Sequence, residues 1–173
     1  MTIAIRSKDD QRLVGHLRKK SKKKKINVYF NKRDSKSGKT KYVQGKFVSE
    51  KNQATFAYKS SYELAYLNLL EKDDNVFSYT YEPFDLNYFD SENKQRIYKP
   101  DFMVLYKDGR IEVTEVKPKL MLQDYDVKAK AAACRIFLEE NYKDIDISYR
   151  FITEKVLFKT SKEYTDFIKS IKE

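Results

Sequence analysis

Residues 98–119 read YKPDFMVLYKDGRIEVTEVKPK, and they constrain this chain more than any other stretch. An apolar run ends at Tyr106, a second, β-like run spans Ile111 to Val116, and Lys107-Asp108-Gly109-Arg110 separates them. Asp-Gly between two such runs is a strong local signal for a β-hairpin. We therefore expect a strand over Arg96–Tyr106 and a return strand over Ile111–Val116. Aspartate is a poor strand former, yet Asp101 stands directly before the apolar part of the first strand. In the second strand Glu115 and Lys117 flank Val116. Alternate residues share a face, so Glu115 and Lys117 point the same way, while Val116 and Val113 face the other side or the core. The turn lies midway between Asp101 and Glu115. Folding about it sets the two carboxylates side by side at the open end of the hairpin.

Two close carboxylates repel each other, and one pKa rises. A divalent cation removes that cost. Hard oxygen ligands suit Mg²⁺, with Mn²⁺ as a substitute, and such ions also bind phosphate oxygens. An ammonium at Lys117 can orient or deprotonate an attacking water, or offset charge forming on a phosphate. The alternative for these residues is a solvated strand edge, with Lys117 pairing Glu115.

Upstream, Ser60-Ser61-Tyr62-Glu63 opens a helix whose apolar face is Leu64, Leu67, Leu69 and Leu70, and Asp73-Asp74-Asn75 ends it. Ser60 is the expected N-cap. Position alone leaves Glu63 either as its capping-box partner or as a third carboxylate. Val76–Tyr81 and Phe84–Phe89 are further strands. Asp126–Asn141 is a helix with the stripe Val127, Ala131, Cys134, Ile136, Phe137 and Leu138. Ile145–Thr153 is a strand, and Lys162–Lys172 is a short amphipathic helix. From Ser60 the order is helix, antiparallel strands, helix, strand: an α/β fold with a mixed sheet and helices packed on it. Before Ser60, two β-like runs, INVYFNKR and KYVQGKFVS, flank a Ser/Gly-rich turn.

At 173 residues the chain suits one domain with an arm. The arm is residues 1–25, whose block RKKSKKKK repels itself and suits a DNA backbone. Residues 26–173 form the single domain, with its core at about 58–153. The formal charge of +10 favours a polyanionic partner, most simply DNA. No apolar run approaches the ~20 residues of a membrane span, and no signal-peptide pattern opens the chain, so we expect a cytoplasmic protein without a membrane partner. The single cysteine, Cys134, sits in a helical context and reads as a buried thiol. The single histidine, His16, lies in the arm, which leaves no material for a histidine nuclease or zinc site.

The blocks GKF at 45–47, YKSSYE at 58–63, YKPDF at 98–102 and EVKPK at 115–119 resemble those of the PD-(D/E)XK, or restriction-endonuclease-like, nuclease superfamily. The likeness runs from about Gln44 to Thr153. It is closest to the phage head-completion nucleases and to the nuclease domain of the transposon-end-cutting transposase subunit. The resemblance implies an αβββαβ core and a metal-dependent DNA endonuclease. It assigns metal ligation to Glu63, Asp101 and Glu115, with the Val116 backbone carbonyl, and makes Lys117 the catalytic lysine. It also implies a host-cell cytoplasmic or virion-associated setting. A homodimer, a phage or transposition protein partner, a homing-type nuclease and a catalytically idle DNA-binding or virion module stay open.

Secondary candidates are few. Glu82 in YTYEPF is either an extra carboxylate or a structural edge residue. Lys128 and Lys130 are candidate phosphate contacts, with solvated lysines as the alternative, and Lys119, held extended by Pro118, is a candidate for substrate binding. Tyr58, Tyr62 and Tyr98 read as packing residues, with base stacking as the alternative.

Overall fold

The structure, a computed structural model, describes residues 43–171. The basic arm and the run INVYFNKR lie outside the described residues. The elements in chain order are β1 (Gly45–Ser49), β2 (Ala54–Tyr58), α1 (Ser61–Lys72), β3 (Val76–Tyr81), β4 (Leu86–Phe89), β5 (Gln95–Tyr98), β6 (Phe102–Tyr106) and β7 (Ile111–Val116). A 3-10 turn (Lys119–Gln123), α2 (Tyr125–Asn141), β8 (Ile147–Ile152), α3 (Glu154–Leu157) and α4 (Ser161–Ser170) follow.

The hairpin forms where the Asp-Gly signal puts it. Gly109 takes φ +93°, a region where a side chain is strained. The Asp108 carboxylate accepts the Arg110 amide at 3.0 Å and closes the turn. Strand β6 pairs antiparallel with β7 in the register Phe102↔Thr114 to Leu105↔Ile111. Strand β8 pairs parallel on the other side of β7, and the sheet order is β3-β6-β7-β8. The parallel pair requires a crossover, and α2 supplies it. Helix α1, strands β3, β6 and β7, helix α2 and strand β8 make the expected αβββαβ order, with β4–β5 an inserted hairpin.

Strand β7 is covered on both faces, so all six of its residues are buried. The period of two divides its neighbours. Phe102, Val104, Val116 and Ile152 pack with Ala65, Tyr66, Leu67 and Leu70 of α1. Met103, Leu105, Ile111 and Val113 pack with Cys134 and Leu138 of α2. Val113 thus lies on the α2 side, while Val116 lies on the α1 side. Both valines are in the core, one of the two placements expected, but they do not share a face: residues two apart share a face, so Val113 goes with Glu115.

Other sequence expectations shift for local reasons. The strand expected over Arg96–Tyr106 is broken at Lys99-Pro100-Asp101. Proline has no N–H for a ladder and biases the residue before it. Strand β5 instead pairs with β4. Strand β1 lies in the run KYVQGKFVS and pairs with β2, which the sequence reading left unassigned. Leu69 and Ile136 fall off their buried stripes and are exposed. Helix α3 was not anticipated.

Candidate active site

Asp101 and Glu115 sit opposite each other across the hairpin, one step beyond the paired residues Phe102 and Thr114. Asp101 Oδ2 accepts the Val116 amide at 2.7 Å, which ties the carboxylate to the edge of β7. Its backbone carbonyl accepts the Glu82 amide at 2.9 Å. Burial, then the Glu115 charge, push the Asp101 pKa well above the usual carboxylate range, with Glu63 adding to the rise and Lys117 opposing it. Glu115 is buried, and each of its oxygens has a partner. Oε2 accepts the Tyr98 hydroxyl at 2.7 Å, and Oε1 lies 2.9 Å from Lys117 Nζ. Burial pulls the Lys117 ammonium down, but the Asp101 and Glu115 carboxylates outweigh it, and its pKa is raised. Lys117 is therefore a cation at neutral pH, suited to holding negative charge.

Glu63 reaches this region from the first turn of α1. The capping box is present: Ser60 Oγ accepts the Glu63 amide and donates to Glu63 Oε1, both at 3.1 Å. Oε2 accepts the Lys59 amide at 2.9 Å. Burial raises the Glu63 pKa, while those bonds and the Lys59 and Lys117 charges oppose the rise. The cap also buries the carboxylate within electrostatic reach of Asp101 and Lys117, so the two readings of Glu63 do not compete.

Residues 73–154 match the family model described as TnsA-like endonuclease N terminal. This part of the chain is similar to TnsA-like endonuclease domains. The match covers Asp101, Glu115, Val116 and Lys117 and stops short of Glu63. Of the two likenesses read from the sequence, it agrees with the transposase nuclease, within the restriction-endonuclease-like superfamily. No curated protein matches the chain.

Does this site suit a divalent cation? Among the described residues, no three His, Cys, Asp or Glu side chains gather closely enough to hold a metal ion. The fit rests on Asp101 and Glu115. Both are hard oxygen donors, they are held opposite each other, and their mutual repulsion already raises Asp101. Mg²⁺ commonly uses one or two carboxylates and fills its shell with water and phosphate oxygens. The pair fits that habit. Both Glu63 oxygens already accept hydrogen bonds, from Ser60 and Lys59.

Several further residues surround the pair. Tyr98, read from the sequence as packing, hydrogen-bonds Glu115 directly and also contacts the Tyr149 hydroxyl at 3.1 Å. Nothing in the local sequence marks that role, because β5 and β7 meet only through the fold. Burial, then Glu63, Glu82 and Asp101, raise the Tyr81 pKa, which places Tyr81 among the acids. Glu82 takes φ +44° and pairs with Lys59 at 2.6 Å, at the rim of the site. Cys134 is buried, and burial followed by the Glu115 charge push its thiol up to about 12. Tyr62 packs edge-on against Phe158 and Tyr164. Lys128 bonds Gln123, and Lys130 stands over the Tyr88 and Tyr98 rings. The Lys119 amide donates to Glu154 at 2.9 Å. His16 lies outside the described residues, and among them no helix is long and apolar enough to cross a membrane.

Proposed function

We propose that this protein is a divalent-metal-dependent DNA endonuclease that hydrolyses phosphodiester bonds in the service of a mobile element or phage. The observation that carries the reading is the pairing of Asp101 with Glu115 across the hairpin, with the Lys117 ammonium on Glu115. Asp101 and Glu115 would hold the ion, with Glu63 and the Val116 carbonyl completing the shell as the superfamily resemblance implies. When bound, Mg²⁺ or Mn²⁺ supplies a Lewis acid for a phosphate oxygen and lowers the pKa of a bound water. Lys117, kept cationic by its neighbours, orients the attacking water and offsets the charge that grows on the phosphate. One P–O bond forms to the water oxygen, one breaks to the leaving sugar oxygen, and the water's proton ends on that oxygen or in solvent. The chain's net charge of +10 supports a DNA substrate. We assign the reaction to the host-cell cytoplasm.

Supercoiled plasmid incubated with the full chain and Mg²⁺ or Mn²⁺ tests this reading. Wild type should give nicked or linear product, and Lys117→Ala should give none. Normal cutting by Lys117→Ala would reject the assignment.

The TnsA-like match favours a second reading, in which cleavage waits for a transposition partner. The isolated chain would then be silent on plasmid, yet it would still bind Mn²⁺. A catalytically idle module of the same fold would have no reason to bind the ion.

A further inference from the structure

We propose that Tyr98 is a positioning residue for Glu115: its hydroxyl holds Glu115 Oε2 toward the interior and reserves Oε1 for Lys117 and an incoming cation. The inference rests on the metal-dependent reading above and adds a residue to it.

The geometry is specific. Tyr98 ends β5, which belongs to the inserted hairpin and not to the central sheet. The chain then passes through Lys99 and Pro100 to Asp101. One segment, Tyr98-Lys99-Pro100-Asp101, thereby delivers an acid to one side of the pair and a hydroxyl to the other. Tyr98 is 3% exposed and Glu115 is 4% exposed, so water does not substitute for either. The Tyr98 hydroxyl donates to Glu115 Oε2 at 2.7 Å, while Oε1 faces Lys117 Nζ at 2.9 Å. A phenol has one proton. Since Tyr98 gives it to Glu115, the 3.1 Å contact with Tyr149 must be a donation from Tyr149. The hydroxyls form a directed chain from Tyr149 to Tyr98 to Glu115. The Tyr98 ring is fixed as well, with Tyr88 edge-on at 6.5 Å and the Lys130 ammonium 5.8 Å above it.

Carboxylates that bind metals are themselves hydrogen-bonded, and losing such an outer partner weakens metal affinity about 10- to 100-fold. A carboxylate freed at Oε2 can rotate and lose the orientation that Oε1 needs.

The test is calorimetric titration of Mn²⁺ into the full chain as wild type, Tyr98→Phe, Tyr149→Phe and Asp101→Ala, with thermal unfolding of each. Tyr98→Phe should unfold cooperatively and bind DNA without metal as wild type does, yet bind Mn²⁺ about 10- to 100-fold more weakly. In plasmid cleavage its half-saturating Mn²⁺ concentration should rise by a similar factor, with much of the rate recovered at saturation. Tyr149→Phe should shift Mn²⁺ affinity in the same direction by a smaller factor. Wild-type Mn²⁺ affinity in Tyr98→Phe overturns the proposal while leaving the metal reading in place. If Tyr98→Phe does not fold, Tyr149→Phe decides, and unchanged affinity there overturns the relay. If wild type and Asp101→Ala titrate alike, the metal reading itself fails and takes the proposal with it.

Discussion

Replacing Lys117 by methionine keeps most of the side chain's volume and removes its charge. In the fold, Lys117 Nζ lies 2.9 Å from Glu115 Oε1 and also opposes the rise in the Asp101 pKa. Removing one partner of a buried ion pair costs about 3–5 kcal/mol, because the other charge stays buried. The Glu115 side chain is 5% exposed but that of Lys117 is 25% exposed, so water replaces part of the lost ammonium. We therefore expect a loss of about 2–3 kcal/mol, below the range for a fully buried pair. For a chain of this length the melting temperature should fall by about 5–10 °C. The pH dependence has a definite sign. Asp101's folded pKa is raised, so its contribution to stability is fullest below the unfolded pKa and is lost as pH rises through the folded one. Without Lys117 that rise grows. The variant's deficit should thus be largest near pH 8 and shrink as pH falls toward 5. Millimolar Mn²⁺ at pH 8 should recover part of it, since bound ligand stabilises the folded state. Thermal melts followed by circular dichroism at the two pH values, with and without Mn²⁺, measure all three effects. A melting temperature equal to wild type at pH 8, or a deficit that ignores pH, would refute the reasoning.

Asp101→Asn should stop cleavage yet raise the metal-free melting temperature at pH 7, because it removes a charge the fold opposes and keeps an acceptor for the Val116 amide; a lower melting temperature would show that the fold favours the charge. Ser60→Ala should cost about 1 kcal/mol in urea unfolding through the lost N-cap. It should also slow cleavage by releasing Glu63 Oε1, and full activity would detach Glu63 from the site. Deleting residues 1–25 should weaken DNA binding and flatten the plot of log affinity against log salt, and an unchanged slope would mean the arm makes no phosphate contacts.

Much of the core was legible because strong local signals agree there. Asp108-Gly109 fixes the hairpin's centre, and counting outward from it sets Asp101 against Glu115. Ser60 and Glu63 mark the start of α1 to the residue. What escaped the sequence reading depends on tertiary context or on weak turn chemistry. The β1–β2 turn uses Gln53 at φ +49° where a glycine would be expected, so no turn signal is printed in the sequence. The break before β6 is written in Pro100, but the long apolar run beyond it argued for continuity. Tyr98 was read as packing because its partner, Glu115, meets it only after β5 leaves the central sheet. Lys117's role sharpened for the same reason. Its charge state is set by two carboxylates that the fold brings together.

The central claim is that Asp101 and Glu115 share one cation. A crystal of the full chain soaked in Mn²⁺, with diffraction collected at the manganese absorption edge, tests it most directly. The account predicts one anomalous peak in contact with both carboxylates, lost in Asp101→Ala. No peak there, or a peak that survives Asp101→Ala, would contradict it.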